Sequence, residues 1–489
     1  MYSSERPLAS PARVSSDAVV PLGFYDDTMI FRIFVLGSMF VFNDVLDPQK
    51  LRSSLERLAQ RDGWKRIGAR LRKNDNGALE HHIPAEFSEK RPAITFTHVS
   101  HSMNSKDHPI ASLLPLPGHS VGSSPAIVVS DTEKFAELYE GPGIPKGLDD
   151  YLLTDRPAIN LHIVSFNDIT VMTLHRSHTT FDGQGQKDFL EAWSLMMQGR
   201  EDEIKTPFDM AQDPLRDLGT RPSEPHVLAS SQLKMLQGDS TATNRAPEEE
   251  TADVPPAKDV SAMIRIPGRF VEKLRAEALE SLKASANGDE KPFVSEGDVI
   301  VSWFARLAAK SNLGDGPDRE MRLTVVNGWR YPLSQDLLPA EKPYLGNAMG
   351  FVTTLAPASD IINKPISWTA SQVRRNIVEQ GTREQLEAYC AMMRESKDRL
   401  YPVFGDASAY AINFSNWTKV NYFNVDFSAA AVKARDTPCT PFYLQQAQYP
   451  LRYPEGFYIG GKDDNGDYWL WGYRNEKHWE VTEKLLAEA

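Results

Sequence analysis

The chain has 489 residues, more than one compact core usually holds, which predicts two or three domains. Its net charge of −12 and its scattered Lys and Arg residues argue against nucleic-acid and membrane-surface partners, because both need a basic face. Its cysteines, Cys390 and Cys439, are too few for a disulfide framework and lack the neighbours of a metal site, so a reducing cytoplasm and no bound metal are expected.

The first predicted elements are a buried apolar stretch and a helix. Residues 1–21 lack the apolar block of a signal peptide. The apolar residues 29–42 are interrupted by Arg32 and are fewer than the roughly 20 that span a bilayer, so they are expected in the core. Asp47 and Pro48 are typical of a helix start, and leucines follow at helical spacing. The chain is therefore predicted to be soluble and to have no membrane partner.

Strands are predicted in the segment that follows. Residues 93–99 are strand-like, and residues 102–150 are rich in Ser, Pro and Gly, which is typical of long loops. Residues 158–166 and 169–177 are two β-rich runs joined by Asn167-Asp168, a pattern that predicts a hairpin. An amphipathic helix is expected shortly after the hairpin.

A change in composition separates the two halves of the chain. Residues 204–260 are rich in proline and carry an acidic triplet, which makes them the predicted linker. A second region of helices and strands follows. Its helices are expected at 267–285, at 295–307 and from residue 478, and its strands at 322–329, at 347–355 and within 410–425.

The segment from His178 to Gly183 carries the first chemical candidate. Histidine titrates near neutrality, and a histidine at a strand end that faces a crevice can take the proton of an attacking hydroxyl. Asp182-Gly183, directly before a helix, can fix the shape of the loop. The pattern HxxxDG is weak by itself, because a lone histidine more often bonds nearby backbone groups. It needs a second motif to indicate catalysis.

That second motif lies near the end of the chain. Ser415 and Trp417 bring a hydroxyl and an indole N–H, two donors that can meet a carbonyl oxygen as it becomes an oxyanion. A buried strand with its Trp in the core is the alternative for these residues taken alone.

Other candidate sites are weaker. His175 and His178 are three apart on a strand and would point to opposite faces, which makes a poor metal pair. His81 and His82 are expected at the surface. Residues 141–147 are glycine-rich but lack the ending of a phosphate loop, and the Gly-x-Ser-x-Gly elbow of α/β-hydrolases does not occur.

Several motifs together resemble one family. They are residues 21–27, 63–70, the His178 motif, 326–330, 344–347 and the segment from Ser415 to Ser428. In order and spacing they are similar to those of the BAHD superfamily of coenzyme-A-dependent acyltransferases, and most closely to members from fungal secondary-metabolite pathways. The resemblance covers nearly the whole chain.

The resemblance implies an α/β fold. Two similar-sized, chloramphenicol-acetyltransferase-like domains are expected, each a mixed β-sheet with flanking helices, with an active-site channel at their interface. The expected boundaries are 1–203 for the N-terminal domain, 204–260 for a crossover linker and 261–489 for the C-terminal domain. A segment of the second half is expected to cross back onto the first. Because one chain supplies both halves of the channel, a monomer is expected.

The resemblance also implies roles for residues around the channel. His178 would be the general base at its centre. Asp182, followed by Gly183, would be structural, pointing away from the substrate and pairing with Arg330 of the second domain. Ser295 would lie near the coenzyme A tunnel.

The segment 426–430 departs from the family pattern. Relatives usually read Asp-Phe-Gly-Trp-Gly, whereas this chain reads Asp426-Phe427-Ser428-Ala429-Ala430. The resemblance implies a structural role for Asp426 and places Phe427 and Ser428 at the donor-binding channel. Without the two glycines the loop loses tolerance for positive φ, so a difference in loop shape and donor preference is expected here.

The implied function is that of an acyl-CoA-dependent O-acyltransferase. An acyl group, such as an acetyl group, would pass directly to a hydroxyl of a small secondary metabolite. Acyl-CoA would be a co-substrate, with no tightly bound cofactor. His178 would deprotonate the acceptor, and Ser415 and Trp417 would stabilise the oxyanion without an acyl-enzyme. Two alternatives stay open: carrier-protein-dependent acyl transfer or condensation, and a BAHD-like fold that serves as a lyase, a cyclase or a binding protein.

Overall fold

The computed structural model describes residues 10–116, 122, 124–233, 258–285, 291–312 and 319–488. The strands are β1 (Ala18–Pro21), β2 (Val35–Phe42), β3 (Arg70–Lys73), β4 (Leu79–Ile83), β5 (Thr95–Ser100), β6 (Ala126–Val129), β7 (Asn160–Ser165), β8 (Thr170–Ser177), β9 (Asp259–Ile266), β10 (Glu320–Gly328), β11 (Met349–Pro357), β12 (Tyr410–Asn416), β13 (Pro441–Tyr449), β14 (Gly456–Lys462) and β15 (Tyr468–Asn475). The helices are α1 (Met29–Ile33), α2 (Pro48–Leu58), α3 (Ala136–Tyr139), α4 (Leu148–Leu152), α5 (Gly183–Met197), α6 (Gly268–Ser285), α7 (Glu296–Asn312), α8 (Ala358–Asn363), α9 (Ile366–Gln380), α10 (Arg383–Glu395) and α11 (Glu476–Ala487).

One of the two large sheets holds five strands in the order β13-β2-β8-β7-β5. β2 lies between β13 and β8 and pairs antiparallel with both of them. All eight residues of β2 and all eight of β8 are buried, as expected for central strands that are covered on both faces. Helices α2 and α5 pack against each other and share a hydrophobic core with this sheet. His178 follows the last residue of β8 directly.

The other large sheet holds seven strands in the order β11-β10-β12-β14-β15-β9-β6. β10 pairs antiparallel with β11 and parallel with β12, so this sheet is mixed. Helices α6, α8, α9 and α11 pack around α7, and together they cover the sheet with a second hydrophobic core.

Each large sheet contains one strand from the other half of the chain. β6 precedes residue 203 but pairs with β9 in the seven-stranded sheet. β13 follows residue 261 but pairs with β2 in the five-stranded sheet. A segment of the second half therefore crosses back onto the first, as the resemblance implied.

The first part of the expected linker packs on the protein. The hydroxyl of Tyr25 donates to the main-chain oxygen of buried Leu218 at 2.6 Å. The N–H of Gly219 donates to Glu387 of α10 at 2.7 Å. Residues 234–257, which include the acidic triplet, lie outside the described residues. The linker and the two domain boundaries therefore stay predictions.

Strand β11 begins later than the predicted residue 347. The N–H of Asn347 donates to Oδ1 of Asp26 at 2.6 Å, so it is not available to the sheet. Pairing with β10 starts at Met349. A tertiary contact therefore sets the start of the strand.

The prediction that His81 and His82 lie at the surface is wrong. They are 4% and 2% exposed. Both belong to β4, the middle strand of a three-stranded sheet in the order β1-β4-β3. Adjacent side chains of a strand point to opposite faces of the sheet, so both faces of β4 are covered here. His82 also contacts Glu80 at 2.7 Å.

The apolar stretch 29–42 belongs to the core, as predicted. It forms α1 and then β2, with Phe34 between them. Among the helices of the described residues, none combines the length and the apolar composition that a membrane crossing needs.

Candidate active site

A cavity of about 1570 Å³ lies between the two large sheets. Strands of both sheets line it, among them β2 and β8 on one side and β12 and β14 on the other. A pocket for one drug-sized ligand measures about 300–1,000 Å³, so this cavity has room for two substrates. The predicted site residues that line it are His178, Asp182, Gly183, Ser295, Arg330, Ser415 and Trp417.

His178 lies at the end of β8 in a fixed orientation. Its main-chain N–H donates to the main-chain oxygen of Phe34 at 2.9 Å. Its ring stacks on the ring of Phe31, with 4.4 Å between the ring centroids. Nδ1 of the ring lies 3.1 Å from Oδ1 of Asn347. No described residue bonds Nε2, which leaves this nitrogen for a substrate.

Asp26 and Asn347 determine which ring nitrogen of His178 carries the proton. Nδ2 of Asn347 donates to Oδ1 of Asp26 at 2.9 Å and to the main-chain oxygen of His178 at 3.1 Å. Both amide hydrogens are then used, and Oδ1 of Asn347 can only accept. Nδ1 of His178 must therefore donate to it. Nε2 is left unprotonated and can act as a base.

The electrostatic environment keeps His178 neutral. Burial and then the positive charge of Arg176 lower the pKa of His178 to about 4, against weaker opposing effects from Asp182 and Asn347. A neutral ring at pH 7 is the form that a general base needs. A group that offset the charge of Arg176 would make His178 a stronger base.

Asp182 bonds Arg330, not His178. The guanidinium donates to both carboxylate oxygens, at 2.7 and 2.9 Å. The N–H groups of Gly185 and Ala348 each donate to the same carboxylate at 2.9 Å. Burial acts to raise the pKa of Asp182, but the charge of Arg330 and these bonds lower it overall, so the carboxylate stays ionised. The pair links the start of α5 to the segment between β10 and β11.

Comparisons with known proteins establish the family. The model of the Transferase family matches residues 148–431, more than half of the chain. A Penicillium decumbens protein named transcriptional regulator calD is 38% identical, over 100% of this chain and 99% of its own. The acetyltransferase sphE of Aspergillus fumigatus is 31% identical, over 98% of this chain and 97% of its own. This chain is a BAHD-type acyltransferase of the Transferase family.

The fold of this BAHD-type acyltransferase is also found among solved structures. TRI101 of F. graminearum, complexed with coenzyme A and T-2 mycotoxin, superposes with a TM-score of 0.68 at 12% identity. The match covers 95% of this chain and 96% of that one. At this identity the match shows the fold alone. Together with the two exchanged strands, it confirms the predicted two-domain, chloramphenicol-acetyltransferase-like fold.

The side chains of Ser415 and Trp417 are hydrogen-bonded to each other. Nε1 of Trp417 donates to Oγ of Ser415 at 2.8 Å. An indole has a single N–H, so Trp417 has no second proton for an oxyanion in this arrangement. No described residue accepts the hydroxyl proton of Ser415. Of the two expected oxyanion donors, Ser415 is therefore the one with a free proton, and Trp417 orients it.

Ser295 caps helix α7 where the helix meets the cavity. Its Oγ accepts from the N–H of Asp298 at 3.2 Å, and its own N–H donates to Oδ2 of Asp298 at 2.6 Å. Arg374 donates to Ser295 at 2.8 Å and to Asp298 at 2.7 Å. A side chain at Gly297 would come within 2.3 Å of Asn416, so glycine allows α7 to approach β12 closely. The site therefore combines a helix N-terminus and a guanidinium.

Asp426 ties the loop 426–430 to the start of β13. Its Oδ1 accepts from the N–H groups of Ser428 and Cys439, both at 2.8 Å. Its Oδ2 accepts from the hydroxyl of Ser428, also at 2.8 Å. Residues Ser428–Ala430 form a 3-10 turn, and none of them has a positive φ. The loop therefore closes without the two glycines that relatives carry.

Phe427 and Ser428 do not reach the cavity, contrary to the expected donor-binding role. The ring of Phe427 is 1% exposed and packs against Phe42 and Trp193 in the core of the five-stranded sheet. The hydroxyl of Ser428 is bonded to Asp426. Neither residue lines the cavity. The geometry supports a structural role for both.

Three residues of the site were not singled out from the sequence. Asp26 and Asn347 lie in the motifs 21–27 and 344–347, but nothing in the sequence joins them. Arg176 lines the cavity two residues before His178. The alternation of side chains along a strand is the signal that could have indicated it.

Proposed function

We propose that this chain transfers an acyl group, such as an acetyl group, directly from acyl-CoA to a hydroxyl of a small secondary metabolite. The observation that carries the proposal is a neutral His178 with a free Nε2 at a cavity that has room for both substrates. Relatives named acetyltransferase support it. So does the similarity to a structure that contains coenzyme A and T-2 mycotoxin.

The proposed reaction needs one base and one oxyanion donor. Nε2 of His178 takes the proton of the acceptor hydroxyl as its oxygen attacks the thioester carbonyl. The negative charge that forms on the carbonyl oxygen accepts a hydrogen bond from Ser415, which Trp417 orients. The C–S bond then breaks, and His178 returns its proton to the leaving thiolate. No acyl-enzyme forms.

The start of α7 is the proposed donor site. Helix N-termini and cationic side chains both bind phosphate groups, which coenzyme A carries. Ser295 and Arg374 line the cavity at the start of α7, and Lys462, which bonds Glu296 at 2.9 Å, lies beside them. A carrier-protein donor is the alternative. Turnover with free acyl-CoA, compared with an acyl-loaded carrier protein, separates the two.

The predicted monomer, domain division and compartment belong to the same proposal. Residues of one chain line the cavity from both sheets, which supports a monomeric enzyme. The division at 1–203, 204–260 and 261–489 is proposed with β6 and β13 as exchanged strands. The cytoplasm is proposed because both cysteines are free thiols.

The test replaces the proposed base. His178→Ala should lower acyl transfer by about 10²–10⁴-fold, measured by mass spectrometry of acyl-CoA consumed with an extract of candidate hydroxylated metabolites. His98→Ala is the matched control, because His98 is exposed and does not line the cavity. Full activity in a folded His178→Ala protein would refute the proposed mechanism.

A regulatory role is the second candidate, because the 38% identical relative is named a transcriptional regulator. The net charge of −12 argues against direct binding to DNA. Reintroducing the gene into a deletion strain distinguishes the two roles. Restored metabolite production by the His178→Ala allele would favour regulation, whereas production by the wild-type allele alone would favour catalysis.

A further inference from the structure

Arg176 belongs to the wall of the cavity beside His178. It lies two residues before His178, which directly follows β8, and both side chains line the cavity. Two residues of extended chain span roughly 7 Å. The partner of Arg176 in β2 is Leu36, and the partner of Leu36 in β13 is Gln448. All three side chains line the cavity. A substrate bound at His178 therefore has Arg176 in the same cavity.

The guanidinium of Arg176 is buried without an anionic partner. The residue is 3% exposed, and its Nε and Nη1 have no hydrogen-bond acceptor. Among the described residues, no carboxylate lies within ion-pairing distance of it. The ring of Phe181 lies 4.6 Å from the guanidinium carbon and covers one face, but it offers no acceptor in the plane of the donors.

Neighbouring groups do not satisfy this cation. Asp182 acts on it through space, but its carboxylate is bonded to Arg330 and two main-chain N–H groups. Tyr458, which also interacts electrostatically with Arg176, accepts a hydrogen bond from Gln448. No described residue accepts the hydroxyl proton of Tyr458. No described residue accepts from Nε or Nη1 of Arg176, and the neighbouring phenols of Tyr422, Tyr151 and Tyr458 carry no charge that would neutralise the guanidinium.

A buried cation is costly unless another group supplies the opposite charge. We propose that Arg176 binds a carboxylate of the small-molecule substrate, next to the reacting atoms. The inference rests on the proposed acyl transfer and deepens it. The carboxylate belongs either to a hydroxy-acid acceptor or to a dicarboxylic acyl group of the donor.

The geometry suits such a group. A guanidinium binds a carboxylate through two parallel hydrogen bonds, and Tyr458 can add a third. The spacing of roughly 7 Å from His178 places the carboxylate a few bonds from the reacting hydroxyl or carbonyl carbon. The bound carboxylate also offsets the charge that lowers the pKa of His178. Substrate binding would thus strengthen the base.

The test compares acids with neutral counterparts by titration calorimetry on the full chain. Malonyl-CoA and succinyl-CoA are compared with acetyl-CoA, and mandelate and cholate with their methyl esters. We expect at least one acid to bind about 10- to 100-fold more tightly than its neutral counterpart, the range of a hydrogen-bonded charge. A preference among the coenzyme A esters identifies the acyl group as the source, and a preference among the hydroxy acids identifies the acceptor.

Arg176→Met should abolish the preference, because methionine fills the space without the charge. Arg176→Lys should keep part of it, since the charge remains without the fork of donors. Arg52→Met, at a half-exposed arginine of α2 outside the cavity, is the control for a change of charge. A wild-type protein that prefers no acid overturns the inference, and so does a preference that survives Arg176→Met.

The thermal stability of Arg176→Met tests the inference without any of the acids used in the titration. If Arg176 is kept for a ligand, Arg176→Met should unfold at the same temperature as the wild type or at a higher one, because an unpaired buried cation is removed. A marked loss of stability would show a structural role and overturn the inference. Acid preference without any acyl transfer would contradict the proposed function alone, whereas acyl transfer without acid preference would contradict this inference alone.

Discussion

Asn347 bonds both the ring and the main chain of His178, with 3.1 Å between each pair of atoms. Its remaining amide hydrogen and its own N–H go to Asp26, at 2.9 and 2.6 Å. One side chain therefore joins the N-terminal segment, the end of β8 and the start of β11. This junction fixes both the position of the base and its tautomer.

Asn347→Leu should lower kcat by about 10²-fold or more, the lower end of what a general base contributes. Leucine has a similar volume but can neither accept from Nδ1 of His178 nor hold the ring. The KM for acyl-CoA should change little, because Asn347 does not line the cavity. Steady-state kinetics on the purified protein checks both numbers. Asn376→Leu, on α9, is the control, and a wild-type kcat in Asn347→Leu would refute the role given to the junction.

Asp26→Asn should stabilise the protein, and the gain should grow as the pH rises. Burial raises the pKa of Asp26 to about 7, against weaker opposing effects of Arg66 and Asn347, whereas an unfolded aspartate titrates near 3.9. Between these values the unfolded chain releases the proton and the folded chain keeps it, so wild-type stability falls as the pH rises. An amide does not titrate but keeps Oδ1 as an acceptor for Asn347.

Urea unfolding of the wild type and of Asp26→Asn at pH values from about 4 to about 8 measures this difference. We expect the two proteins to be close near pH 4 and to differ by up to about 4 kcal/mol near pH 8. A difference that does not change with pH would contradict the prediction.

Asp182 and Arg330 should show strong coupling in a double-mutant cycle. Asp182→Asn leaves a buried guanidinium without its carboxylate, and Arg330→Met leaves the carboxylate without its cation, so each should cost about 3–5 kcal/mol of unfolding free energy. The double variant should cost clearly less than the two single changes added together. Thermal and urea unfolding of the four proteins give the coupling.

The exposed pair Arg200–Glu203 is the control, and its loss should leave stability close to that of the wild type. Additive losses at Asp182 and Arg330 would contradict the prediction.

The sequence predicts well those parts of the fold that local chemistry determines. Helix α2 begins where Asp47 and Pro48 indicate, and the side chain of Asp47 accepts from Gln49 and Lys50. β8 ends at Ser177, as the β-rich run predicts. The pairing of Asp182 with Arg330 was implied by the family resemblance, not by spacing, because 148 residues separate the two.

What local patterns missed depends on distant contacts. Asn347 looks like the first residue of a strand, but Asp26, 321 residues away, takes its N–H. Phe427 stands in a motif that the resemblance places at the donor channel, but Trp193 of α5 and Phe42 enclose its ring in the core. In both cases a partner far along the chain decides the position, and no periodicity in the sequence encodes that partner.

Ser415→Ala and Trp417→Phe should lower kcat by different amounts. Removal of an oxyanion donor costs about 10²–10³ in kcat, so Ser415→Ala should show a loss of that order. Trp417→Phe removes the N–H that orients Ser415 but leaves the hydroxyl proton, and its loss should be smaller. Kinetics of both variants at saturating acyl-CoA measures the two losses. A larger loss in Trp417→Phe would assign the oxyanion contact to the indole instead.

The pH dependence of kcat/KM should show how much Arg176 contributes to the low pKa of His178, apart from the other charged groups around it. These groups are Asp182 and Arg330, which bond each other, and Asp26, which acts through Asn347.

His178 must be neutral to accept a proton, so activity is present above its pKa and is lost as the pH falls through it. Because the pKa of His178 is about 4, titration of His178 itself should leave the wild-type rate almost constant between pH 6 and pH 8. Any change of rate in that range would report Asp26, whose pKa is about 7. Arg176→Met removes a positive charge that lowers this pKa, so the acid limb of its profile should move to higher pH. Profiles for a neutral acceptor with acetyl-CoA test this directly, since no substrate carboxylate is then present to offset the charge. An acid limb that stays in place or moves to lower pH in Arg176→Met would show that the guanidinium does not act on the base.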